Sequence, residues 1–366
     1  MMLIFALSYK GILSLSISSL NFHVYTLVFL VFTNVFTGFL FTTFPRFCQD
    51  KVIEKSFYTN IYYANFTGSL LFVFGSFMGE IILHVGVATL FVSQVFIVFK
   101  LHTIFKNGTS PQKEDPYWIL MGQYFGVFAH FLFILTFLGL GVDDFAIKVA
   151  FYMYLIFVTF AVGQRMIPFF SHSFAQKDER FVSTVFILFI AKTILSIFNA
   201  NDYVKMAEIV VDLLLGVYIL GEVLKWELKP LSAPAILWVL QLGLFWLPTA
   251  MFFSAISLGL ELFLGTSFYY LGVHLIAIGF LTTILIGFGT RVTLGHSGQS
   301  PHADKFVTGL FYFIQVVVIL RALFSINVAF GWGLNFLFDI SFTAWLVLFL
   351  LWGGRYAKVL IYGTKL

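Results

Sequence analysis

Charge is what this chain has least of. Only 10% of its 366 residues are Asp, Glu, Lys or Arg, against about 25% in soluble domains. Hydrophobic residues make up 60% of it and aromatics 20%. No soluble fold hides that much apolar surface, so the composition leaves a polytopic membrane protein as the competitive class. Cysteine is nearly absent: Cys48 is the only one. A single thiol excludes an intramolecular disulfide, an iron–sulfur cluster held by this chain's own cysteines, and C-x-x-C-H attachment chemistry. Basic runs are absent too, so the net charge of +4 reads as loop bias and no nucleic-acid partner is expected. The connections are short. The longest, about 102–116 and 165–180, leave no room for a soluble domain. No basic segment precedes the first apolar residues, which argues against a cleavable signal peptide.

What is present is a series of apolar runs. Eleven are of about membrane-spanning length: 23–44, 60–79, 81–101, 117–140, 145–164, 181–200, 204–224, 233–255, 267–290, 306–328 and 332–353. Residues 2–20 form a candidate twelfth, weakened by Lys10 and a serine-rich half. The expected fold is an all-α bundle of 11–12 spans, a single integral membrane domain over 1–366. Lys and Arg recur in every second connection: Arg46, Lys51 and Lys55; Lys100, Lys106 and Lys113; Arg165, Lys177 and Arg180; Lys225 and Lys229; Arg291 and Lys305. The tail carries Arg355, Lys358 and Lys365. The positive-inside rule puts these connections and the C-terminus in the cytoplasm.

That orientation sorts the eight histidines. His23, His84, His130 and His274 fall on four different spans, all in the outer half. His102, His172, His296 and His302 lie in cytoplasmic connections. Ionisable groups inside a bilayer are costly and usually functional. Imidazoles at one depth on separate helices suit a haem or copper site. They equally suit kink caps, interhelical hydrogen bonds or interfacial rings, and His23 is the best candidate for the last. Asp212, Gln241, Arg321 and Asp339 also lie within spans. Arg321 could meet haem propionates; Asp339, Glu261 or lipid phosphate could serve it instead.

Residues 272–298 gather these themes. The 17 residues from His274 to Arg291 cover roughly 25 Å as a helix, most of a bilayer. The two ends therefore cannot share a metal unless the closing turn folds back into the bundle. His274 groups with the outer histidines. Arg291 and His296 group with Arg165 and His172 at the cytoplasmic face. In G-H-S-G, two glycines permit a tight turn around His296, which is a further candidate metal ligand. At 41–47, FTTFPRF ends the first span, with Pro45 expected to stop the helix.

The segments GFLFTTFPRF (38–47), GQRMIPFFSH (163–172) and HLIAIGFLTTILIGFGTRVTLGHSG (274–298) resemble the markers of the NnrS family, as does PAILWVLQLGLFWLPT (234–249). The residues carrying the resemblance are Arg165, Pro168, Arg291, Gly295, His296 and Gly298. The resemblance implies a bacterial inner-membrane protein of about a dozen helices, associated with nitric oxide and containing haem and copper. The chain departs from the family where W-H-x-H-E is usual: here it reads Phe22-His23-Val24-Tyr25-Thr26. Gln241 stands where relatives often carry histidine, and the N-terminal F-R-P-F-F helix is not visible.

The function expected is therefore a nitric oxide or nitrosative-stress protein. It would hold haem b, with copper as the second cofactor, and bind or turn over NO in the outer half of the membrane. The cofactor candidates are His274, His84, His130, His23 and Arg321, with His296 added as a metal candidate. Lipid is the expected surrounding partner, and the residues name no electron donor. Two alternatives stay open. One is a secondary transporter built on Asp212, Arg321 and Asp339. The other is a quinone-linked electron-transfer subunit.

Overall fold

The computed structural model describes residues 1–198, 201–230, 233–268 and 270–363. Positions 199, 200 and 269 of the expected spans, and Lys365 of the tail, lie outside them. The described elements are twelve helices: α1 (Met2–Tyr9), α2 (Ser19–Cys48), α3 (Lys55–Met78), α4 (Glu80–Asn107), α5 (Glu114–Phe137), α6 (Asp143–Phe170), α7 (Phe181–Ile197), α8 (Asp202–Lys225), α9 (Ala235–Leu264), α10 (Leu271–His296), α11 (Lys305–Phe330) and α12 (Phe336–Tyr362). Each of the eleven expected spans has its helix. Nine of them, α2–α6 and α9–α12, are long and apolar enough to cross a membrane. The chain is thus an all-α, multi-pass membrane protein. α7 is a shorter apolar helix, and α8 carries buried carboxylates.

Two local expectations are corrected. Residues 2–20 do not form one span. The eight-residue α1, about 12 Å long, is followed by a turn, and the Ser18 hydroxyl then caps α2 by accepting from the Asn21 N–H at 3.1 Å. Pro45 does not stop the first span either. α2 runs on to Cys48 and ends where Gln49 takes a φ of 54°. A helical proline removes one hydrogen bond, to the carbonyl four residues back, and crowds that carbonyl, but the turns beyond it can still form; the following turn closes on the Pro45 carbonyl, 2.9 Å from the Asp50 N–H.

Three helices widen locally to π geometry: Thr26–Phe32 in α2, Val149–Ile156 in α6 and Leu275–Thr282 in α10. In two of them threonine hydroxyls donate to carbonyls five residues back: Thr33 to Val28 at 2.8 Å, Thr282 to Ala277 at 2.8 Å and Thr283 to Ile278 at 3.2 Å. These bonds satisfy backbone acceptors that lipid could not. Such turns often mark functional sites.

Residue contacts divide the chain into two compact units, Met1–Ala161 and Val162–Leu366. In the first, α3 and α4 make a close antiparallel pair around Gly79, whose φ is 144°. A methyl group on Gly86 would lie 2.5 Å from the Phe72 nitrogen, and one on Gly75 would meet the Leu83 backbone. In the second unit α9 packs against both α8 and α10, with Gly243, Gly279 and Gly287 at the α9–α10 contact.

Candidate functional site

In the first unit the histidines are held by the protein. His130 is buried. Its Nε2 lies 2.7 Å from the Tyr25 hydroxyl and its Nδ1 2.6 Å from Gln94 Oε1. Phe29 stacks on the ring at 4.0 Å. Both ring nitrogens are thus engaged, and Tyr25, at the position of the second histidine of W-H-x-H-E, is one of the partners. The neighbouring buried Tyr154 meets Thr33 at 2.9 Å. His84 points Nε2 at the Phe137 carbonyl, 3.1 Å away. His23 stacks on Phe5 with ring centroids 4.2 Å apart.

In the second unit His274 opens α10, immediately before its π segment. It is half-buried. Nδ1 lies 3.0 Å from the Tyr270 carbonyl and 3.0 Å from Arg321 Nη2. Arg321 Nη1 also donates to Ser325 at 2.6 Å, and its guanidinium lies 5.1 Å from the Phe324 ring centre. A guanidinium only donates. The Nδ1 atom can therefore accept from Arg321 or donate to Tyr270, not both. In the first state the proton is on Nε2. In the second the lone pair is on Nε2, with the ring oriented by a backbone carbonyl, as histidines that ligate metals commonly are.

The cytoplasmic-side markers also come together. The Arg291 guanidinium lies over the Phe170 ring at 3.9 Å, and Phe170 meets Phe288 with centroids 6.1 Å apart. Gln241 donates to Ser171 at 2.9 Å. The turn after α6 and the end of α10 are therefore packed against each other and α9. Arg165 and Pro168 lie in the last turns of α6, and His172 follows with a φ of 52°. His296 ends α10 and is exposed. Of the two flanking glycines only Gly298 needs its freedom, with a φ of 69°. Gly295 is helical, and a methyl group there would meet nothing within 4 Å.

The sequence reading missed Lys192 and Glu208. Lys192 on α7 is fully buried, and so is Asp212 on α8. The Lys192 ammonium contacts both Asp212 oxygens, Oδ1 at 2.6 Å and Oδ2 at 2.8 Å, and Glu208 Oε1 at 3.2 Å. Ser254 Oγ of α9 is 3.4 Å away. A signal existed. Lys192 and Glu208 are equally far from position 200, so an antiparallel pair turning there sets them opposite each other, and Asp212 shares the face of Glu208 four residues on.

Among the described residues no group of three or more His, Cys, Asp or Glu side chains could hold a metal ion. A copper ion held by several such ligands has no ready-made site there. A haem iron needs only one imidazole; His274, with Arg321 beside it, is the pair that would hold such a group.

Helices of this length and apolarity, with buried polar groups kept inside them, define a multi-pass α-helical membrane protein. The chain belongs to the NnrS family: the family model, described as NnrS protein, matches residues 1–362. In general terms this makes it a membrane protein of the nitric oxide response. Comparison with curated proteins gives no match.

Proposed function

We propose that this protein binds haem b within the membrane through His274 and acts on nitric oxide there. The observation that carries the reading is the pair of competing partners on His274 Nδ1, Tyr270 and Arg321. A carboxylate is a better partner for a guanidinium than an imidazole nitrogen is. Arg321 would turn to a haem propionate, Nδ1–H would then donate to the Tyr270 carbonyl, and the lone pair would lie on Nε2, the atom that would hold iron. Ferrous haem with one protein ligand supplies an open position that binds NO. His84 is the second choice of ligand, and His130 would first have to leave Tyr25 or Gln94. The membrane is the bacterial inner membrane, with the basic connections and the C-terminus in the cytoplasm.

The test is an optical and metal analysis of purified protein with and without NO. A Soret band that shifts with NO is expected, and His274→Ala should lose most of the haem. Absence of iron and of a Soret band would sink the cofactor claim; a full complement in His274→Ala would remove that residue from the site. A second reading, secondary transport, draws on the buried Lys192–Glu208–Asp212 group. It is favoured if the protein is colourless and its vesicles take up a substrate.

A further inference from the structure

In the second unit, the start of α11 and the last turns of α12 border an open groove of about 390 Å³, within the roughly 300–1,000 Å³ of sites that hold small ligands. Its lining changes from end to end. Phe306 of α11 and Leu350 and Leu351 of α12 form the wall that lies deeper in the membrane, and all three are exposed. Asp304 and Arg355 close the end nearer the connections. From Leu350 to Arg355 is about 7.5 Å along α12. Gly354 completes the lining, and a methyl group there would meet nothing within 4 Å. The groove is open in part because position 354 has no side chain.

The charges at the polar end select the occupant. Asp304 is engaged twice: one oxygen accepts from the Val307 N–H at 2.8 Å, capping α11, and the other from Arg355 Nη2 at 2.8 Å. The Arg355 and Asp304 side chains are 39% and 48% exposed, so their pairing is weak. A guanidinium has five N–H donors, and among the described residues only Nη2 of Arg355 is bonded. Lys305, between two lining residues in the chain, is exposed and pairs with no carboxylate among them. Two cations thus stand beside one anion. An arginine at a helix end reaches headgroups in general; here an apolar groove lies directly beside it. We propose that this groove binds an anionic phospholipid, with the phosphate on Arg355 and the first part of one acyl chain against Phe306, Leu350 and Leu351. Basic pockets between membrane helices recognise acidic headgroups in this way. A zwitterionic headgroup carries a cation of its own that Arg355 repels, and a quinone head brings no charge to the guanidinium. The inference is independent of haem.

Native mass spectrometry of the full chain in detergent tests it, with equal amounts of phosphatidylglycerol and phosphatidylcholine of the same acyl chains. The protein should retain phosphatidylglycerol in preference. Arg355→Gln should retain it roughly fivefold less, the contribution of one basic residue at an anionic surface, with phosphatidylcholine unaffected. Gly354→Leu fills the groove and leaves the charges in place, and it should lose the same lipid. The fold should persist in both, since one removes an exposed ion pair and the other puts a good helix former into open space. Lipid bound at other basic ends is common to all three proteins, so the differences between them read this site. Equal retention of the two lipids, or an unchanged preference in Arg355→Gln, would overturn the headgroup assignment. Undiminished retention in Gly354→Leu would overturn the groove as its seat, and displacement of the phosphatidylglycerol by added ubiquinone would give the groove to a quinone instead.

Discussion

Single residues set the chemistry because lipid offers them no alternative partner. His274 and Arg321 hold each other until something better for either arrives. Replacing Arg321 by Met should thus shift His274 toward donation to Tyr270. In the haem reading, reconstituted Arg321→Met should keep the iron–imidazole signature while binding haem more weakly, by roughly the 1.5–3 kcal/mol of a charge-assisted hydrogen bond; unchanged affinity would take Arg321 out of the site. Lys192 is more consequential for the fold. Removing one partner of a buried ion pair costs about 3–5 kcal/mol. Lys192→Met should destabilise the protein by about that much in mixed-micelle unfolding, and adding Glu208→Gln and Asp212→Asn should recover a large part of the loss. If the single variant unfolds like wild type, the group is not an ion pair. At this scale the sequence was only half legible. Histidines can be sorted by depth from loop charges, but which partner each nitrogen takes depends on Tyr25, Gln94, Tyr270 and Phe137, on separate elements or in backbone carbonyls that have no sequence signature.

At the scale of elements, the eleven runs were legible because a bilayer demands about 20 apolar residues and a helix is the simplest way to satisfy their backbone. Helix ends and interior geometry were not. α4 and α9 extend well past their apolar runs, and two of the three π segments are accompanied by threonines whose hydroxyls could equally have bonded four residues back. Close helix contacts were equally hidden, since glycine is common throughout the chain. The α3–α4 pair rests on Gly75 and Gly86, where backbones meet and no side chain can yield. Small residues drive helix association in lipid through such contacts. Gly86→Val should therefore cost at least about 2 kcal/mol, an overpacking penalty, and Gly295→Ala, where nothing is near, should cost almost nothing. Thermal unfolding of the two variants in detergent reads the contrast. Equal stabilities would mean that α3 and α4 do not approach as closely as described.

For the whole molecule, orientation decides which histidines face which compartment. Basic connections alternate with acidic or neutral ones along the chain, so the rule is applied many times over. Every application points the same way. The protein is convenient for a direct test, because its one cysteine, Cys48, is buried and should resist a thiol reagent in the folded state. New cysteines can be placed at exposed positions, Lys106→Cys and Glu179→Cys on the basic side, Asp143→Cys and Trp332→Cys on the other. With a membrane-impermeant maleimide on intact cells, the last two should label and the first two should label only after the membrane is opened. The reverse pattern would invert the protein. His274 and the Lys205–Glu261 end of α8 would then face the cytoplasm. A mixed pattern, with one position of either pair on the wrong side, would mean that a helix between the labelled sites fails to cross. α7 and α8 are where that outcome would arise, since they are the two long helices that fall short of the length and apolarity of a span. The contact of Lys192 with Asp212 and Glu208 sets the buried charges of the two helices against each other rather than against lipid.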